Sequence, residues 1–153
     1  MGAPALADAG FVKRGTTNQG LNNPKNWIVG DKKEFLSTPE LQDKAFQAYT
    51  NKNYERALKK GLFAADAPVE EKLPHLAGAH LVGFNGYMKS LGGADVKDAN
   101  GIRAQDYYNY MTDYLRRASP RAPMPDMGYE QQMAQNEDLF QNSLRNMMLG
   151  GAP

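Results

Sequence analysis

The stretch HLAGAHLVGFNGYMKSLGG, residues 75–93, holds both histidines of the chain and five of its fifteen glycines. Around it, Leu73, Leu76, Ala77, His80, Leu81, Phe84, Met88 and Leu91 fall at steps of three and four, the stripe of an amphipathic helix. The spacing predicts one helix over about 74–91, ended by Gly92–Gly93. Glycine costs about 1 kcal/mol relative to alanine inside a helix. Gly78, Gly83 and Gly86 therefore mark a face that is either closely packed or turned toward a ligand. They lie largely off the apolar stripe, with Ala79 beside them, so the helix has one apolar face and one small face and is expected to be central.

On its C-terminal side, ADVKDANG (94–101) reads as a turn and a further helix follows over about 103–117. Tyr107, Tyr110, Met111 and Tyr114 make one face of it, flanked by Tyr108 and Leu115. A tyrosine stripe at this spacing reads as half-buried core with hydroxyls at the surface, sugar stacking being the alternative. On the N-terminal side, LFAADAPVEEK (62–72) reads as a polar linker. Before it, Ser37 opens a helix as a capping box with Glu40, Pro39 sits in the first turn, and Leu41, Ala45, Ala48, Tyr49, Ala57 and Leu58 run to a stop at Gly61. Residues 14–34 are loop-like, with Trp27 and Ile28 as the anchor, and APALADAGFVK (3–13) forms a short helix ended by Gly10.

At Ser119 the composition changes. SPRAPMPDMG (119–128) reads as an extended linker. Beyond it, Asn136 suits a helix cap, Glu137 and Asp138 suit a first turn, and Phe140, Leu144, Met147 and Met148 share a face. Adaptable thioethers on a tethered amphipathic segment suit docking onto a partner; folding back onto its own domain is the alternative. The expected organisation is thus mainly α: a helical domain over 1–118, then a linker and an amphipathic tail helix over 119–153.

Composition removes several function classes. The net charge is +1 and no basic run exceeds two residues, which argues against nucleic acid. Without cysteine there is no disulfide, thiolate metal site or cysteine nucleophile. No apolar run approaches a membrane span, no secretion signal opens the chain, and the two histidines lack zinc-protease spacing. Neither a metal nor a cofactor is expected. No GxSxG or phosphate-loop pattern occurs. His75, near a helix start, reads as solvent-exposed, and His80, on the stripe, as a core residue rather than a ligand. Asp31, Glu34, Glu40, Asp43, Asp95, Asp98 and Asp106 read as caps, turn residues or solvated faces; none is flanked in sequence by the apolar wall that a general acid needs.

In order, ALADAGF (5–11), KKEFLSTPELQDKAFQAYTNKNY (32–54), HLAGAHLVGFNGYMKSLGGADVKDANG (75–101) and QDYYNYM (105–111) resemble the lysozyme-like peptidoglycan hydrolase domains of bacteriophage virion proteins, relatives of the lytic transglycosylases. The resemblance covers residues 3–115 and implies a lysozyme-like helical fold. It implies that AHLVGFNG lies along the floor of a glycan cleft, with His80, Gly83, Asn85 and Gly86 as the residues nearest a glycan. In that family the catalytic glutamate and a Gly-Lys-Tyr-Gln-like motif precede the segment matching ALADAGF, and only four residues precede it here. No position inherits the general-acid role, so no catalytic residue is expected and the domain reads as truncated. The resemblance thus implies a non-catalytic virion component, tail or ejection-associated, made in the bacterial host cytoplasm. Its partners would be other phage structural proteins, reached through Phe140, Leu144, Met147 and Met148, with several copies in a ring as one arrangement. The alternative is a peptidoglycan-binding or hydrolysing protein whose glutamate comes from another chain. An unrelated small helical adaptor is the third reading.

Overall fold

In the computed structural model, which describes residues 1–118, the chain is mainly helical, and its only β-pairing among those residues is two isolated bridges. The residues expected to form the linker and the docking tail, Phe140, Leu144, Met147 and Met148 included, lie outside the described residues. The chain divides into two compact units at Lys60–Gly61, where the sequence pattern places a helix stop and the start of a linker but not a domain boundary.

The N-terminal unit contains α1 (Ala3–Asp8), α2 (Lys32–Ser37) and α3 (Pro39–Lys59), with two short 3₁₀ turns at Gln19–Asn22 and Pro24–Asn26. As expected, α1 stops before Gly10, whose φ of +81° lets the chain reverse where a side chain would be strained. The long loop is fastened by Trp27, which is 7% exposed and donates its indole N–H to Leu21 O at 2.8 Å. Lys13 N donates to Asn26 O and Ile28 N to Phe11 O, pairing the two ends of the loop across the Val12–Trp27 bridge. Leu6, Phe11, Val12, Trp27, Phe35 and Ala45 form the core, with Phe35 edge-on to Phe11 and 5.5 Å from Trp27. Ile28 is not part of the anchor: it is 61% exposed, because its backbone pairs with Phe11 while the ring beside it fills the core.

The capping box expected at Ser37 does not form. Ser37 is the last residue of α2 and its hydroxyl donates to Glu34 O, while Thr38 stands at the α3 N-cap without a side-chain bond. The actual cap is one element earlier, where Asp31 Oδ1 accepts from Glu34 N at 2.9 Å. Gln42 Nε2 then reaches back to the Phe35 and Leu36 carbonyls, which the short helix leaves without partners. Pro39 occupies the first turn of α3, where its missing N–H costs nothing, and the helix ends before Gly61 (φ +67°).

Arg56 on α3 grips Asp8 on α1 with two bonds, Nη1–Oδ2 at 2.7 Å and Nη2–Oδ1 at 3.0 Å. The guanidinium's hydrogen bond holds Asp8 below the ordinary carboxylate value of 3.8. A depressed folded pKa means that the pair stabilises above that value and is lost as pH falls through the lower folded one. Both side chains are about one-third exposed (34% and 31%), so solvent screening limits the pair to about 0.5–1 kcal/mol. Arg56→Ala should lower stability by that amount at neutral pH, and the gap from wild type should close well below pH 3.8 in acid-dependent thermal melts.

The C-terminal unit is built from α4 (Val69–Val82), α5 (Phe84–Leu91) and α6 (Ala104–Ala118), with α4 packed on both of the others. Here the sequence expectation is corrected twice. The helix expected from 74 starts at Val69, with Pro68 at its N-cap and Glu70 and Glu71 placed favourably in its first turn, so Pro74 lies inside it. The single helix expected over 74–91 is also two helices. Gly83, with φ +75° and ψ 155°, leaves helical geometry between them. Leu73, Leu76, Ala77, Ala79, Phe84 and Tyr87 are buried.

The expected turn is present: Asp98 Oδ1 accepts from Asn100 N and Ile102 N, and Asp95 pairs with Lys97 and Arg103. On α6 the buried residues are Ala104, Met111 and Leu115, whereas Tyr114 is 41% exposed and Tyr107 stacks on Tyr110 at 6.3 Å. Tyr107, Tyr108 and Tyr110 are half-buried and Met111 is in the core, as expected of that face, and only Tyr114 is turned outward. Small Ala104 and flexible Met111 allow closer packing than a row of phenols.

Candidate functional site

Among the described residues of the C-terminal unit, one polar arrangement joins α4, α5 and α6. His75, at the middle of α4, has Nδ1 2.8 Å from the hydroxyl of Tyr87 on α5. Its ring lies edge-on to Tyr87 at 5.9 Å and to Tyr108 of α6 at 5.1 Å, with Phe63 at 6.0 Å. In an unbroken helix, residues 75 and 87 would stand about 18 Å apart along the axis. The break at Gly83 turns α5 back so that the two side chains meet. Gly78, one turn after His75, makes room for the Tyr87 ring: a Cβ there would stand 2.6 Å from Tyr87 Cδ2 and nearer still to Cε2.

His75 is thus half-buried rather than exposed, because α4 starts earlier than expected and carries it inward. Burial lowers its pKa and raises that of Tyr87, so both groups are neutral at pH 7 and share one hydrogen bond. The hydrogen bond ties α4 to α5, and the ring contact with Tyr108 adds α6.

The four residues expected nearest a glycan cluster at the α4–α5 junction. His80 is in the last turn of α4, and burial pushes it down from 6.5 to about 4. Gly83 is the break itself, Asn85 is exposed in the first turn of α5, and a Cβ on Gly86 would come within 3.3 Å of Val82 and 3.5 Å of Val96. Backbone conformation accounts for Gly83 and neighbouring side chains account for Gly86. The expectation that His80 belongs to the core fits its desolvation.

A lowered histidine pKa has a definite sign. As pH falls below 6.5 the unfolded chain takes up the proton first, so stability drops between 6.5 and about 4 and levels off below. His80 retains some exposure, which limits the loss to about 1–2 kcal/mol. His80→Gln should flatten that part of the stability–pH curve in urea titrations.

A second feature lies in the N-terminal unit, an open groove of about 530 Å³ lined by Leu21, Asn22, Pro24, Asp31, Lys32, Lys33, Leu36 and Ser37. Leu36 is 64% exposed there, although it sits on a helix whose Phe35 is in the core. Lys32 Nζ donates to Asn22 Oδ1 at 2.7 Å on the groove's rim. Among the described residues no group of His, Asp and Glu is arranged to hold a metal, and no helix is long and apolar enough to cross a membrane.

Comparison with protein-family profiles, curated proteins and solved structures gives no match.

Sequence reasoning missed both the His75–Tyr87–Tyr108 cluster and the groove. The partners in the cluster are 12 and 33 residues apart, and only the fold at Gly83 makes the first spacing meaningful. The one available signal was Gly78 at three residues from His75, which marks a shared helix face with space for a ring.

Proposed function

We propose that this chain is a non-catalytic structural component of a bacteriophage virion, tail or ejection-associated, built on a degenerate lysozyme-like domain. The observation that supports the reading is the state of its carboxylates. Glycoside hydrolysis requires a carboxyl group whose pKa is raised by an apolar surrounding. Here Asp8 is driven the other way by Arg56, Asp31 caps α2, Asp98 holds a turn and Asp95 pairs with two cations. Among the described residues no Asp or Glu is buried. The hydrogen-bonded His75–Tyr87 pair and the ring seated on Gly78 serve shape rather than chemistry. In this reading Phe140, Leu144, Met147 and Met148 attach the domain to its neighbours.

The assembly half of the proposal is tested by truncating the chain at residue 119 in the phage that encodes it and measuring its copy number in purified particles. Depletion from otherwise intact or defective particles is expected. Full occupancy by the truncated chain would refute docking through the tail.

A further inference from the structure

We propose that the groove of the N-terminal unit receives the 136–148 segment of a second copy of this chain, joining copies head to tail. This rests on the assembly role proposed above and adds the partner and the surface. The groove presents apolar Leu21, Pro24 and a 64%-exposed Leu36 beside Lys32 and Lys33. The lining carries two lysines against Asp31, and the unit that holds it, residues 1–60, carries ten Lys and Arg against six Asp and Glu. Residues 119–153 carry two basic and four acidic residues, so the chain's small net charge hides two regions of opposite sign.

The sequence NEDLFQNSLRNMM (136–148) matches the groove in both respects. Glu137 and Asp138 are complementary to Lys32 and Lys33, and Phe140, Leu144, Met147 and Met148 supply the apolar face that a groove of this kind takes from an amphipathic segment. The bond from Lys32 to Asn22 is exposed and easily exchanged for a carboxylate. Asp31, the one acid on the rim, is already held as the α2 cap. Seventeen residues separate the described end of α6 from Asn136, a Pro-containing reach of about 50 Å if extended, ample for handing the segment to a neighbour. Groove and segment are different surfaces, so the contact is heterologous and builds a ring if the rotation closes.

Sedimentation velocity on the full chain tests this with two surface variants. Wild type should self-associate, more weakly as salt rises. Leu36→Asp spoils the groove and Phe140→Asp spoils the segment; each alone should weaken association by about tenfold or more. Mixed together, they should form a one-to-one dimer and nothing larger, because the mixture retains one intact groove and one intact segment per pair. Circular dichroism of both variants checks that the fold is intact, as the exposure of Leu36 predicts for that position. A wild type that stays monomeric at every concentration overturns the inference, as does association untouched by Leu36→Asp, or a mixture that fails to pair. None of these outcomes alters the particle-occupancy result, so failure here is distinguishable from failure of the virion assignment.

Discussion

Tyr87→Ala should destabilise the protein by about 3–5 kcal/mol, the range for truncating a fully buried aromatic, and should also reverse the effect of changing Gly78. Tyr87 is 0% exposed, its hydroxyl is bonded to His75, and its ring occupies the space that a side chain at position 78 would need. In the wild type, Gly78→Ala gains about 1 kcal/mol of helix propensity but forces a methyl into that ring. The ring is buried and rigid, so the crowding costs about 1–3 kcal/mol and the net effect is a loss. Once Tyr87 is alanine, the obstruction is gone and the same substitution becomes neutral or stabilising. Urea melts of the four chains in a double-mutant cycle measure this sign change directly. Equal effects of Gly78→Ala in both backgrounds would show that Tyr87 is not the reason for the glycine.

Gly83→Ala should cost about 1–3 kcal/mol through the backbone alone. Nothing stands within 4 Å of a Cβ built at this position, so crowding plays no part. The conformation, φ +75° with ψ 155°, is one that L side chains avoid, and it is the joint that turns α5 back toward α4. Relief of the strain by straightening the joint would separate His75 from Tyr87, so the loss has no cheap escape. Gly86→Ala is the control. Its backbone is helical, so alanine gains about 1 kcal/mol of propensity, which the few tenths of an ångström that Val82 must yield offset, leaving stability within about 0.5 kcal/mol of wild type. If Gly83→Ala were as stable as wild type, the joint would not be the structural device described. Loss of sacculus binding in such a stable variant would restore the glycan-contact role that the lysozyme resemblance suggests for this position.

These two glycines also show how far the sequence could be read. Chain reversals signalled by local chemistry were legible: Gly10 after α1, Gly61 after α3, and the Asp98–Gly101 turn. Trp27 was legible as the anchor of a long polar loop because a lone large aromatic there has few alternatives to the core. The break at Gly83 was hidden, since Leu81, Phe84 and Met88 continue the helical spacing across it and periodicity carries no record of φ. The start of α4 was placed too late because composition gave residues 62–72 to a polar linker, while the observed helix takes its start from Pro68 and the two glutamates after it. The α6 face was legible as half-buried tyrosines around Met111, whereas Ala104, too small to stand out by hydropathy, was not, and Tyr114 is more exposed than the stripe suggested. The His75 clamp needed tertiary information altogether, as did the groove beside Leu36.

On the proposed reading, the chain contributes shape and attachment rather than bond cleavage. Incubating the purified full chain with peptidoglycan sacculi, and measuring soluble muropeptides released against a lysozyme control, tests it most directly. Release no greater than with buffer alone is expected across the pH range in which the fold is intact. Release of muropeptides by the isolated chain would contradict it.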